Sequence, residues 1–223
     1  MAAVISAHIK PPLIEWGVSS VTMAGEEQSG DLHLVRPFTR GTLTAVVDGA
    51  GHGKEAAAAA RIAIETIDKN AEEDVVAIMR FCHERLKGTR GAVIGLGSFN
   101  GGDHTITWLG VGNIGGMLVR SGLPSREEQL LVRAGLVGFG LPPLQASVTR
   151  VARHDLLIVT TDGIRPDFPR SFAASERPAR IASLVSSGYA TRTADGLISD
   201  DGLVLIARYL PEASRDLSEG CRG

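Results

Sequence analysis

The sequence predicts an α+β fold. Three observations carry that reading: short apolar segments joined by hairpin turns, helical stretches that are grouped instead of following every strand, and 27 glycines in 223 residues. Hairpin-joined strands with segregated helices argue for stacked α+β layers over a doubly wound parallel sheet. The glycine content exceeds the usual frequency of about 7%, so many backbone positions must turn sharply or approach one another closely. Hydrophobic residues at 43% and charged residues at 22% are ordinary globular usage, enough to bury a core.

The elements follow in order. Residues 13–22 and 32–38 read as strands on either side of a polar loop, 25–30. Residues 42–47 (TLTAVV) are apolar enough for a buried strand. The stretch 54–69 is alanine-rich and sets Arg61, Glu65 and Lys69 four residues apart, which predicts a helix. Asp74 can cap a second helix in which Val75, Ile78, Met79, Cys82 and Leu86 share one face, and Gly88 ends it. From 92 to 120 the texture is of strands and turns. Asn100-Gly101-Gly102 is a hairpin signal there, and Ile106 and Trp108 alternate with Thr105 and Thr107. Residues 117–119, 129–132, 147–151 and 156–161 read as further strands. Ser175 is expected to cap a third helix with Pro178 in its first turn, Ile181, Leu184 and Val185 on its inner face and Gly188 at its end. Residues 203–209 (LVLIARY) form the last buried strand, and Trp16 and Trp108 are expected in the core.

Charge and cysteine usage exclude several classes. Lys plus Arg is 23 against 25 Asp plus Glu, a net charge of -2, so no basic field invites nucleic acid. Cys82 and Cys221 are far apart and lack CxxC spacing, which gives neither a disulfide framework nor a zinc site and suits a reducing cytoplasm. No apolar run approaches the ~18 residues of a membrane span, and the start lacks a signal pattern. A cytoplasmic protein with no membrane partner is expected.

The chemistry gathers at strand ends. Asp48 follows TLTAVV, Asp162 follows LLIVTT (156–161), and Asp200-Asp201 precedes LVLIARY. Asp-Gly occurs four times, against about 1.5 expected from composition. Each pair alone is consistent with an ordinary turn. Together, several aspartates at one sheet edge would repel and raise each other's pKa, a repulsion that divalent cations relieve. Hard oxygen donors suit Mg²⁺ or Mn²⁺, and two such ions about 3.5–4 Å apart can activate a water and hold a phosphoryl oxygen.

The segments VVDGAGHG (46–53), LLIVTTDGIRPDF (156–168) and SDDGLVLIARY (199–209), with QSGD (28–31) upstream, resemble the metal-dependent serine/threonine protein phosphatases of the protein phosphatase 2C superfamily. The SpoIIE-like branch is the nearer one, and the resemblance covers roughly residues 13–210. It implies a four-layer αββα sandwich of two antiparallel sheets flanked by helices. It also implies two Mn²⁺ or Mg²⁺ ions, bridged by Asp48, bound by the Gly49 carbonyl and completed by Asp162 and Asp200. Asp31 is then an auxiliary ligand or neighbour of the site, and Asp201 has a supporting role. The activity implied is attack of a metal-activated water on a phosphoserine or phosphothreonine.

Two departures stand out. Leu203 occupies a place where relatives often carry Thr, and no arginine precedes Asp31 where eukaryotic-type members grip phosphate. Phosphate binding is therefore expected to rest on the metals. His52, four residues after Asp48, can be read as a general acid or as a packed turn residue before the helix. Gly110, Gly112 and Gly115 match G-x-G-x-x-G, but a short strand follows where a dinucleotide site needs a helix. Gly53-Lys54 imitates the end of a P-loop, yet Glu55 stands where Ser or Thr must be.

The expected organisation is an N-terminal extension (1–12), a phosphatase domain (13–210) and a C-terminal tail (211–223), acting as a monomer. A catalytic unit with so little attached is similar to the free-standing stressosome phosphatases of the branch. Its expected partner is a phosphorylated STAS-domain or scaffold protein. The alternative is an inactive phosphatase-fold scaffold that binds signalling partners.

Overall fold

The computed structural model describes residues 12–122, 126–170, 172 and 175–211. Cys221, residues 1–11 of the expected extension and residues 212–223 of the expected tail lie outside them. Along the described residues run β1 (Ile14–Val21), β2 (Asp31–Phe38), β3 (Gly41–Gly49), α1 (Gly53–Lys69), α2 (Val75–Leu86), β4 (Ala92–Asn100), β5 (Thr105–Val111), β6 (Gly115–Val119), β7 (Glu127–Gln129), β8 (Val132–Arg133), β9 (Ser147–Arg150), β10 (Leu156–Thr160), α3 (Pro178–Tyr189) and β11 (Gly202–Tyr209).

The strands make two sheets, ordered β1-β11-β10-β6-β7 and β2-β3-β4-β5-β8, with β9 paired to β5. Every pairing is antiparallel except β5 with β8. The sheets stack face to face and helices cover both outer faces, which is the four-layer αββα sandwich. Strand composition explains the layering. On β3, Leu43, Ala45 and Val47 pack toward α1 and α2, whereas Val46 joins the layer between the sheets. On β11, Val204 and Ile206 meet α3, while Leu203, Leu205, Ala207 and Tyr209 fill the inter-sheet layer. Both faces are buried, so these strands read as continuous apolar runs. Asp74 caps α2 by accepting from the N–H groups of Val76 and Ala77, and the expected apolar face of α2 is buried.

Four expectations are corrected. Trp16 is 44% exposed, because β1 and β2 are the edge strands of their sheets and its ring closes the open side against His33. Leu184 is 53% exposed, so the inner face of α3 is carried by Ile181, Ala182 and Val185. Arg177, not Ser175, is the N-cap of α3, and the helix runs one residue past Gly188. The strand expected at 129–132 is two: β7 pairs with β6 in one sheet and β8 with β5 in the other, the chain crossing between layers. Among the described residues, no helix is long and apolar enough to cross a membrane.

Candidate active site

The antiparallel register of β2 and β3 sets Asp31 directly opposite Asp48. On the other sheet Asp162 follows β10, and Asp200-Asp201 leads into β11, so the two sheets deliver their acidic ends to the same place. Asp48, Asp162 and Asp200 line one pocket of about 400 Å³, together with His52, Asn113 and Ser199. Glycine next to two of these acids is required by close packing. A Cβ on Gly49 would lie 2.0 Å from the Ala56 carbonyl oxygen, and one on Gly163 would lie 1.8 Å from that of Asp201.

Asp31 and Asp201 are buried and are not among the residues lining the pocket. Asp31 accepts a hydrogen bond from the Thr161 hydroxyl at 2.7 Å, and that hydroxyl accepts from the Leu203 N–H at 2.8 Å. One threonine therefore ties the floor of the site across both sheets. Asp201 accepts from the N–H groups of Met23 and Gly30 at 2.9 and 2.7 Å, which locks the 23–30 loop beside the pocket. His52 Nδ1 lies 2.6 Å from the Glu26 carboxylate, leaving Nε2 as the ring position open to proton exchange.

The electrostatics follow from this crowding. Burial, then repulsion from Asp31, Asp162, Asp200 and Asp201, pushes Asp48 up to about 8. Burial pushes Asp31 up to about 7 against the lowering effect of the Thr161 hydrogen bond. Asp200 is also raised, first by burial and then by Asp162. Such carboxylates ionise fully only when a cation joins them, and the donor set is all hard oxygen, which suits Mg²⁺ or Mn²⁺. As they stand, no three such groups among the described residues close around one point. Asp162 is held by the Asn113 side-chain amide and Asp31 by Thr161. The residues nonetheless fit a divalent cation: Asp48, Asp162 and Asp200 share one pocket, and among the lining residues His52 alone can carry positive charge.

Sequence reasoning missed Thr161 and Asn113. Thr161 had only its place beside Asp162 to signal it. Asn113 sits inside the glycine pattern set aside as a false dinucleotide loop, and nothing local marks it.

Residues 39–210 match the family described as Stage II sporulation protein E (SpoIIE). The phosphoserine phosphatase RsbX of Bacillus subtilis (strain 168) is 27% identical over 97 residues, 44% of this chain and 49% of RsbX. The chain thus spans about half the length of that curated relative. A solved structure described as "The bacterial stressosome: a modular system that has been adapted to control secondary messenger signaling" superposes with a TM-score of 0.78 at 28% identity, covering 87% of this chain and 99% of the other. The crystal structure of RsbX in complex with magnesium gives 0.76 at 21% identity, covering 88% and 95%. At that identity the likeness is one of fold.

Proposed function

Because the chain belongs to the SpoIIE family, within the protein phosphatase 2C superfamily, we propose that it is a metal-dependent phosphoserine/phosphothreonine protein phosphatase. The observation that carries this reading is the convergence of Asp48, Asp162 and Asp200, from the ends of two sheets, on one pocket.

In this reading Asp48, Asp162, Asp200 and the Gly49 carbonyl hold two Mn²⁺ or Mg²⁺ ions. Bound, these ions supply Lewis acidity that lowers the pKa of water and neutralises phosphate oxygens. The chain's own residues do the rest. Asn113 orients Asp162, and Thr161 holds Asp31 against Asp48 so that the acids stay aligned. His52, restrained by Glu26, gives a proton to the serine or threonine oxygen as the phosphorus–oxygen bond breaks. The products are inorganic phosphate and the free hydroxyl side chain, with no phosphoenzyme.

For the substrate we favour a phosphorylated STAS-domain or scaffold protein of a stressosome or partner-switching cascade. The similarity to RsbX and to the stressosome structure supports it. The test is Mn²⁺-dependent release of phosphate from a phosphorylated STAS-domain protein. Asp48→Asn and Asp162→Asn are expected to end turnover with the fold intact, and near-native rates in either would remove that residue from the site. If calorimetry found no Mn²⁺ or Mg²⁺ binding at millimolar levels, the inactive scaffold would be the better account.

A further inference from the structure

The pocket is lined by acids, while the phosphate monoester it would receive is itself a dianion. A cation found beside the lining is Arg90, which is not itself among the lining residues but packs against one of them, Gly51. Arg90 lies on the connection from α2 to β4, and backbone contacts fix this connection against the rim. Gly49 pairs with Ala92 in the β3–β4 ladder, and the Ala50 N–H donates to the Gly91 carbonyl at 3.0 Å. Gly51, a lining residue, has the Arg90 guanidinium on the side where a Cβ would stand. A Cβ there would lie 2.6 Å from Nη1, and Gly51 holds φ +88°, so no larger side chain fits without displacing the arginine.

The guanidinium is held on one side only. Its Nε donates to the exposed Glu55 carboxylate at 2.5 Å. Among the described residues its two Nη groups have no acceptor, and the side chain is half exposed. The free edge of the fork is the geometry that takes two phosphate oxygens together.

We propose that Arg90 is the anion-binding residue of the substrate site, its Nη groups receiving two non-bridging oxygens of the phosphoserine or phosphothreonine while Glu55 holds the guanidinium in readiness. The proposal rests on the phosphatase reading. It places the arginine on a loop remote in sequence from the position before Asp31, where none exists.

The experiment compares wild type, Arg90→Ala, Arg90→Lys and Glu55→Gln, all Mn²⁺-loaded. Two readouts are used: kinetics with p-nitrophenyl phosphate, and calorimetry with inorganic phosphate. A charge-assisted contact at a half-exposed site is worth about tenfold in binding. Arg90→Ala should therefore raise KM about tenfold and weaken phosphate binding by the same factor, with kcat within about threefold, because the contact exists before and during the reaction. Arg90→Lys, which keeps the charge but not the fork, should fall between. An unchanged KM and unchanged phosphate affinity in Arg90→Ala would overturn the proposal; Glu55→Gln, which keeps the guanidinium but frees it, should lose part of that affinity, and a larger loss than in Arg90→Ala would overturn it as well. If wild type turned over no phosphoester, the phosphatase reading would fail, and the calorimetric comparison alone would decide the role of Arg90. Equal melting temperatures and Mn²⁺ affinities across the variants would show that the fold and metal site are kept.

Discussion

Asp48→Asn should stabilise the metal-free protein at alkaline pH, although the same change is expected to end catalysis. In the folded chain Asp48 is pushed from 3.8 to about 8 by burial and by the acids around it. Its folded pKa lies above its unfolded one, so the folded state retains a proton that the unfolded state gives up. Stability is then full below about pH 4 and is lost as pH rises through 8. Four pKa units at about 1.4 kcal/mol each set a ceiling near 6 kcal/mol. The pocket is open to water, so about half of that, roughly 3 kcal/mol, is the expected gain from removing the charge. For a chain of this length that is roughly 6–12 °C in Tm. The assay is thermal unfolding in EDTA at pH 5 and pH 9. At pH 5 only about one of the four pKa units has been crossed, so the asparagine variant should melt slightly higher, whereas at pH 9 the full gap should appear. Adding Mn²⁺ at about a hundred times its Kd stabilises only a protein that binds it, by about 2.7 kcal/mol, so the order should narrow or invert. Coincident melting at pH 9 in EDTA, or a less stable asparagine variant, would show that the acids do not strain the fold.

Three further outcomes are expected. Asn113→Ala frees the Asp162 carboxylate and should weaken Mn²⁺ binding about tenfold by calorimetry with the melting temperature kept, since hydrogen-bond donors behind a ligand orient it; unaltered affinity would leave Asn113 without a role at Asp162. Thr161→Val removes the donor to Asp31 and strands the Leu203 N–H, at a cost of about 1–3 kcal/mol in urea unfolding. Because that donor is the influence holding Asp31 down, the loss should grow above pH 7, and a pH-independent loss would refute the coupling. Gly163→Ala drives a methyl group into the Asp201 backbone and should lower stability by about 3 kcal/mol, measured by the same unfolding; a neutral result would mean the 163–201 approach can open without penalty.

Much of the architecture was legible because the central strands β3, β10 and β11 are buried on both faces and are therefore written as apolar runs, as in TLTAVV and LVLIARY. The helices announced themselves through alanine content and the Asp74 cap. The acids were legible from their place at strand ends. What escaped detection depends on partners far off in the chain. Trp16 looks like any core tryptophan until β1 proves to be an edge. The segment 129–132 has the composition of one strand, and only its switch from one sheet to the other splits it. Thr161 acts through Asp31, Asn113 through Asp162 and Arg90 through Gly51, and no local pattern links the members of these pairs.

The pairing of β1 with β11 also bears on how the molecule comes into being. β1 heads the described chain and β11 closes it, yet β11 lies between β1 and β10. While the chain emerges from the ribosome, β1 has no neighbour in its sheet and Asp200 is not yet in position. The β2–β3 hairpin can set Asp31 opposite Asp48 early, but Asp200 and Asp201 join them only when the last strand slots in. The full charge crowding therefore arrives late, once both sheets are there to withstand it.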